Sequence, residues 1–157
     1  MSFRTNLTAM FAVTFLSVPA FADGITVMDS YARAASPAAK SGAAFMMIRN
    51  DTGQDDTLVS ASTDAASRVE LHTHIEVSDG VMQMTEIEGG VPLPAGGTYH
   101  MVRGGDHVML MGLTGPLEQD ATIDVTLVFE NAGEVEVTIP IDNTRKPEAG
   151  AHGSHSH

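Results

Sequence analysis

The stretch Ile123-Asp124-Val125-Thr126-Leu127, followed by Val135-Glu136-Val137-Thr138-Ile139, decides the fold class. In both segments apolar residues alternate with polar ones, as in a strand with one face in a core and the other toward solvent. Asn131-Ala132-Gly133 supplies turn residues between them. The pair therefore predicts an antiparallel β-hairpin.

The same period of two recurs from Ile25 onward, between groups of Gly, Pro, Asp and Asn. One helical turn at Asp64–Ser67 is the only helical element that the pattern suggests. An all-β, antiparallel sandwich or small barrel is therefore predicted. About nine strands are expected, near Ile25–Ala32, Ala43–Asn50, Thr57–Ala61, Val69–His74, Val81–Glu88, Thr98–Val102, His107–Leu113, Ala121–Glu130 and Val135–Ile141.

The first residues predict an export signal. Arg4 precedes the apolar run Met10–Val18, and Ala20-Phe21-Ala22 has the small-x-small pattern of a signal peptidase site. We therefore expect a signal peptide over residues 1–22, cleaved after Ala22, and a periplasmic mature protein. The apolar run is shorter than the roughly 20 residues that span a bilayer, and no Cys is present for lipid attachment. No membrane span is expected in the mature form.

Net charge and chain length limit the possible partners and the number of domains. Without Arg4, seven basic residues remain against 20 acidic ones, a net charge of 7 − 20 = −13, which argues against nucleic acid as a partner. The 135 residues left after removal of 22 from 157 suit one domain. We expect a β-domain over residues 23–141 and a polar, flexible tail over residues 142–157.

Methionine and histidine are the candidate metal ligands. Because the chain has no Cys, a site for a soft metal has to use thioether and imidazole groups. In the strand His107-Val108-Met109-Leu110-Met111, Val108 and Leu110 share one face, while the His and the Met residues share the other. Two interpretations are open: a strand buried on both sides with Met as an adaptable filler, or a metal held on the outer face.

A second segment favours the metal. Glu70-Leu71-His72-Thr73-His74 places both imidazoles on one face, and Val81-Met82-Gln83-Met84 places two thioethers on one face after Ser78-Asp79-Gly80. A hairpin across that turn would bring the two pairs onto neighbouring strands. Thioethers are poor ligands for zinc, calcium or magnesium and suit copper, above all Cu(I).

The order His72, Met84, His107-x-Met109 resembles the signature of the PCuAC family of periplasmic copper chaperones. The likeness extends from about Ile25 to Ile141. It implies a cupredoxin-like Greek-key barrel that binds one Cu(I) near its surface and delivers it to the CuA site of cytochrome c oxidase, alongside Sco-type proteins. Four further segments of this chain are also similar to those of the family: Val69-Glu70-Leu71, Asp79-Gly80-Val81, Val91-Pro92-Leu93-Pro94-Ala95-Gly96-Gly97 and Met111-Gly112-Leu113.

Carried over position by position, the resemblance implies that the ligands are His72, Met84, His107 and Met109. Met82 lies on the same strand face as Met84 and is an alternative to it. Likewise, His74 is an alternative to His72 or a residue behind it. The adjacent pair His100-Met101 departs from the family pattern, and neighbours in a strand face opposite sides, so we do not expect it in the site.

The tail carries His152, His155 and His157 in a Gly/Ser context. Nitrogen-rich ligation suits Cu(II) or zinc better than Cu(I). One interpretation is an auxiliary Cu(II) capture site, and the other is a solvated tail with incidental histidines.

The function expected from these features is a copper carrier, a monomer that exchanges Cu(I) with accepting proteins. No Gly-x-Ser-x-Gly, phosphate loop or His-Glu-x-x-His occurs, so an enzyme is not expected. The alternative is periplasmic copper storage or resistance. A copper electron-transfer protein is disfavoured because a blue-copper site needs a Cys thiolate.

Overall fold

A computed structural model describes residues 21–147, and all of its regular elements are strands. The predicted all-β fold is confirmed, with no helix among the described residues. The eleven strands are β1 (Phe21–Ala22), β2 (Ile25–Ala34), β3 (Ser41–Asn50), β4 (Asp56–Ser62), β5 (Ala66–Ser78), β6 (Val81–Glu86), β7 (Val91–Leu93), β8 (Thr98–Met101), β9 (His107–Leu113), β10 (Thr122–Phe129) and β11 (Gly133–Pro140).

Two details differ from the sequence prediction. The short strands β1 and β7 were not expected, because two or three residues are too few to show an alternating pattern. The helical turn at Asp64–Ser67 is wrong: Asp64 and Ala65 form a turn, and Ala66 already pairs with Leu113 of β9. Pairing with a neighbouring strand overrides the weak local preference there.

The strands form two antiparallel sheets packed face to face. One sheet has the order β1-β2-β3-β9-β5-β6, with β8 also beside β3, and the other has the order β11-β10-β4-β7. The chain crosses between them at β3–β4–β5, at β6–β7–β8 and again at β9–β10. The predicted hairpin is confirmed as β10–β11, which pairs Val125 with Val137 and Leu127 with Val135.

Apolar side chains from both sheets form one core. Val108 and Leu110 of β9 are fully buried in it, as their place on the inner face of the strand predicts. The other fully buried side chains include Ile25, Met46, Ile48, Leu58, Leu93, Met101, Val125, Leu127 and Ile139. Burial of each such side chain stabilises the fold by roughly 1.5–3 kcal/mol. The core therefore fixes which face of β9 points inward.

The chain beyond β11 is bonded to β2 over its first residues. Asp142 N–H donates to the carbonyl oxygen of Ala32 at 2.9 Å, and Ala34 N–H donates to Oδ1 of Asn143 at 2.9 Å. These contacts lie within the predicted tail. The remainder of that tail, with His152, His155 and His157, lies outside the described residues. Among residues 21–147 no helix is long and apolar enough to cross a membrane.

Asn50, at the end of β3, is a buried polar residue whose side chain joins the β3–β4 loop to the end of β7. Its Nδ2 donates to the carbonyl oxygens of Gln54 and Leu93, both at 2.8 Å. Its Oδ1 accepts from the N–H of Thr52 at 3.0 Å and from the Thr52 hydroxyl at 2.7 Å. All of the hydrogen-bonding capacity of the amide is used, as burial requires.

We predict that Asn50→Ala lowers the free energy of unfolding by about 2–4 kcal/mol, because buried acceptors lose their donors. Urea unfolding of both proteins measures the difference. Asn131→Ala is the matched control, since the Nδ2 of Asn131 makes one exposed bond, to the Asp55 carbonyl at 3.2 Å, and should cost less than about 1 kcal/mol. Equal losses for the two variants would contradict the role given to Asn50.

Candidate metal centre

Three adjacent strands, β6, β5 and β9, place His and Met residues on one face of the larger sheet. His72 of β5 is directly opposite His107 of β9, and His74 of β5 is directly opposite Met84 of β6. Opposed residues in an antiparallel pair share a face, with Cβ atoms about 4.5–5.5 Å apart. The pairing of β5 with β6 and β9 therefore brings together the segments that the sequence identified.

His72 has the central position in this register. On β9, Met109 lies opposite Glu70, two residues along the strand from His107. On β6, Met84 lies opposite His74, two residues along β5 from His72. Both are therefore diagonal neighbours of His72, within reach of long side chains. Met82, the alternative to Met84, is one row farther along β6 and is 54% exposed.

An open cleft of about 490 Å³ lies over this face. Its lining includes His74, Met84, His107 and Met109, while the small residues Gly42 and Ala43 of β3 also line it. Three of the four predicted ligands thus border one cavity. The fourth, His72, is absent from the lining, and its ring centroid is 6.0 Å from that of His107.

The side chain of His107 is on the predicted face but is covered, with 2% exposure. Sequence reasoning placed it at the surface. Phe45 packs beside it, with ring centroids 5.9 Å apart, and the loop between β8 and β9 supplies a further contact. The Nδ1–H of His107 donates to the carbonyl oxygen of Gly105 at 2.9 Å.

Gly105 orients two imidazoles at once. Its carbonyl oxygen also accepts from Nδ1 of His74 at 3.2 Å, and the two rings are 5.4 Å apart. Because a carbonyl oxygen only accepts, Nδ1 carries the proton in both rings when they are neutral. The lone pair is then on Nε2 of each ring, where a metal can bind.

His72 is oriented the other way round. Its Nε2–H donates to Oε2 of Glu70 at 2.7 Å, and Oε1 of Glu70 accepts from Nε of Arg68 at 2.9 Å. The Nδ1 atom of His72 is buried and has no hydrogen-bond partner among the described residues. A buried nitrogen with a free lone pair is costly in a folded protein, and a bound metal ion would satisfy it. A carboxylate on the far nitrogen of a ligating His is a common way of fixing the ring.

Burial lowers the pKa of His107 below its ordinary value of 6.5, and the nearby imidazoles of His74 and His72 lower it further, against the bond to Gly105, which raises it. The neutral ring is therefore favoured. Since a metal binds the neutral imidazole, this environment suits a ligand.

Sulfur donors are available beside the imidazoles. Among the described residues there is no group of three or more His, Cys, Asp or Glu side chains arranged to hold a metal ion. The thioethers of Met84 and Met109 border the same cleft as His107 and are the additional soft donors there. His100 and Met101 lie apart from it, as expected, because His100 is exposed and Met101 is buried on the opposite side.

Two residues that orient the imidazoles were not predicted from the sequence. Glu70 lies two residues before His72 on the same strand face, and this spacing could have identified it as a partner of the ring. By contrast, Gly105 acts through its carbonyl oxygen, which every residue has, so no sequence signal could have identified it.

A family model described as "Putative lipoprotein LpqE-like" matches residues 25–141. The putative lipoprotein Lxx21020 of Leifsonia xyli subsp. xyli (strain CTCB07) is 37% identical over 120 residues, which is 76% of this chain and 70% of that protein.

Solved structures of PCuAC domains share the fold. The copper-bound PCuAC domain from PmoF2 superposes with a TM-score of 0.65 at 21% identity, covering 80% of this chain and 99% of that one. CuI-DR1885 from Deinococcus radiodurans has a TM-score of 0.60 at 32% identity, covering 80% and 84%. The cupredoxin-like fold class is thereby confirmed. With the family model and the curated relative both matching most of the barrel, the chain belongs to the LpqE-like family of putative lipoproteins.

Proposed function

We propose that this protein is a periplasmic copper chaperone that binds Cu(I) through His72, Met84, His107 and Met109. The observation that carries the proposal is the single cleft bordered by Met84, His107 and Met109, beside a buried, unpartnered Nδ1 of His72. Two imidazoles with a free nitrogen and two thioethers form a neutral, soft donor set, which is the kind that Cu(I) prefers.

The likeness to copper-bound domains supports the choice of metal. The PmoF2 domain and DR1885 are described as copper-bound and Cu(I)-bound, respectively. In this chain the ordered sequence His72, Met84, His107-x-Met109 resembles the family signature. No Asp or Glu of the described part of the chain lines the cleft, so a hard divalent cation finds few of the oxygen ligands it needs.

A carrier has to release its metal, and the position of Met84 permits this. The side chain is 43% exposed and lies on β6, an edge strand of the larger sheet. A thioether is uncharged and binds without losing a proton, so an incoming ligand can displace it without leaving a buried charge behind. Four protein donors also leave no open position for a substrate, which is why the proposal is a carrier and not a metalloenzyme.

The recipient in this proposal is a copper-accepting protein, either the CuA-bearing subunit of cytochrome c oxidase or a Sco-type protein. This part rests on the family resemblance. Storage or resistance is the competing role: deletion of the gene should impair oxidase activity at low copper for a delivery protein and cause only copper sensitivity for a protective one. Cu(II) capture by His152, His155 and His157 stays a prediction, as does cleavage after Ala22.

The thioethers give the first test. We predict that Met84→Leu and Met109→Leu each lower Cu(I) affinity at least about tenfold, a loss of roughly 1.4 kcal/mol or more, because leucine keeps the volume but removes the sulfur. Anaerobic competition with a chromogenic Cu(I) chelator measures the affinity. Met111→Leu is the matched control, since Met111 is on the same strand and face but opposite Arg68. Unchanged affinity in both test variants would refute the site.

The imidazole from β5 gives the second test. Of the three variants His72→Ala, Glu70→Gln and His74→Ala, we expect His72→Ala to lower Cu(I) affinity most. Glu70→Gln should lower it about 10-fold, because the ligand loses the partner that orients it. His74→Ala should have an effect of less than about threefold by the same competition assay. A larger loss for His74→Ala than for His72→Ala would instead make His74 the ligand.

The third test concerns protons. Because the pKa of His107 is lowered on folding, the unfolded chain binds more protons below pH 6.5, and the metal-free protein loses stability as pH falls below that value. The stability that the neutral ring provides is fully present above pH 6.5. We predict a shallower pH dependence of the free energy of unfolding for His107→Gln, measured by urea unfolding between pH 7.5 and about 5. Identical pH profiles would contradict the lowered pKa.

A further inference from the structure

The charge of the cleft is opposite to that of the protein. Two arginines, Arg33 and Arg103, line it, together with no Asp or Glu of the described residues. Yet residues 23–157 hold 8 − 1 = 7 basic residues against 20 acidic ones. Arg145 and Lys146, with Arg103, line the small cavity next to it. Four of the seven basic residues therefore line the cleft or the cavity beside it, which also holds Asp29, near the position where the proposed cation binds.

Arg33 lines the cleft from β2. It lies on β2 opposite Ala43 of β3, and Ala43 is in turn opposite Met109 of β9. Arg33 and Met109 are thus two strands apart, about 10 Å, with only a methyl group between them. The Nε atom of Arg33 is buried and has no hydrogen-bond partner among residues 21–147. A buried guanidinium nitrogen in this state requires an acceptor.

Arg103 precedes Gly105 in the loop that orients the imidazoles. Its Nη1 donates to the carbonyl oxygen of Arg145 at 3.3 Å, and no ion pair within the described range includes it or Arg33. The nearby carboxylates have other partners. Glu70 binds Arg68 and His72, Asp29 binds Arg145, and Asp106 accepts from the hydroxyl of Tyr99.

These charges favour an anion beside the metal. With four neutral donors, bound Cu(I) keeps its positive charge, and the two guanidinium groups add to it. An anionic ligand would relieve this repulsion and pair with the guanidinium groups that line the cleft. Among anionic ligands, a thiolate is the soft one that Cu(I) prefers, whereas carboxylates suit harder cations.

We propose that the cleft admits a thiolate of the copper donor or acceptor between Cu(I) and the guanidinium groups of Arg33 and Arg103. This inference rests on the proposed function. In the exchange, a Cu–S bond to the thiolate forms and the bond to one thioether breaks. The thiol proton goes to the solvent, and copper stays Cu(I), so no electron is transferred. Arg33 and Arg103 are positioning residues: they lower the energy of the incoming anion and do not bind the metal.

The test compares two probes that remove Cu(I). The probes are 2-mercaptoethanol, which reacts as a thiolate, and neocuproine, an uncharged nitrogen chelator. Each is mixed anaerobically with the copper-loaded protein in a stopped-flow spectrometer. We expect the double variant Arg33→Gln/Arg103→Gln to slow the thiol reaction about tenfold, because charges at a rim act mainly on association rates. The rate with neocuproine should stay within about twofold.

Arg49→Gln is the control, since Arg49 pairs with Asp51 and does not line the cleft; its rates should match those of the unchanged protein. Should Arg33→Gln fail to fold, Arg103→Gln alone is expected to slow the thiol reaction about threefold. The inference would be overturned, and the proposed function left standing, if the double variant left the thiol rate unchanged or slowed the reaction equally with both probes. Absence of Cu(I) binding by the unchanged protein would overturn the proposed function and this inference with it.

Discussion

The register of β9 against β5 is the constraint on which the rest of the structure depends. It sets His72 opposite His107 and Glu70 opposite Met109. The inner face of β9 fixes that register, because Val108 and Leu110 are fully buried and a slip by one residue would turn them outward and His107 into the core. Apolar burial on one side of the strand therefore positions the polar and soft donors on the other. No metal is needed to define the face.

Local features of the fold and the site could be predicted from the sequence, whereas features that depend on contacts between distant segments could not. Alternation is local, so the faces of β9 and of the segment around His72 were predictable, as was the hairpin β10–β11. The placement of β9 between β3 and β5 is non-local, and the residues alone could only suggest that the two His/Met segments meet. The burial of His107 depends on Phe45 and on the loop at Gly105, neither of which carries a recognisable motif.

Two electrostatic scales coexist in the molecule. The net negative charge acts over the whole surface and is screened within about 8 Å at physiological ionic strength. Inside the cleft, the arginines at 33 and 103 act at shorter range and from partly buried positions, where screening is weaker. An acidic chain can thus attract cations from a distance and still present a local positive charge to an approaching ligand. Composition alone reveals only the first of these effects.

The donors of the proposed centre differ most in how firmly they are held. His107 is buried and bonded to a backbone carbonyl, and His72 is bonded to a carboxylate that is itself paired. Met84 is exposed on an edge strand and makes none of these bonds. Rigid, pre-oriented donors lose little entropy when they bind a metal, and a mobile one loses more. In the proposed centre the imidazoles would anchor copper, and the thioether of Met84 would be the donor that exchanges first.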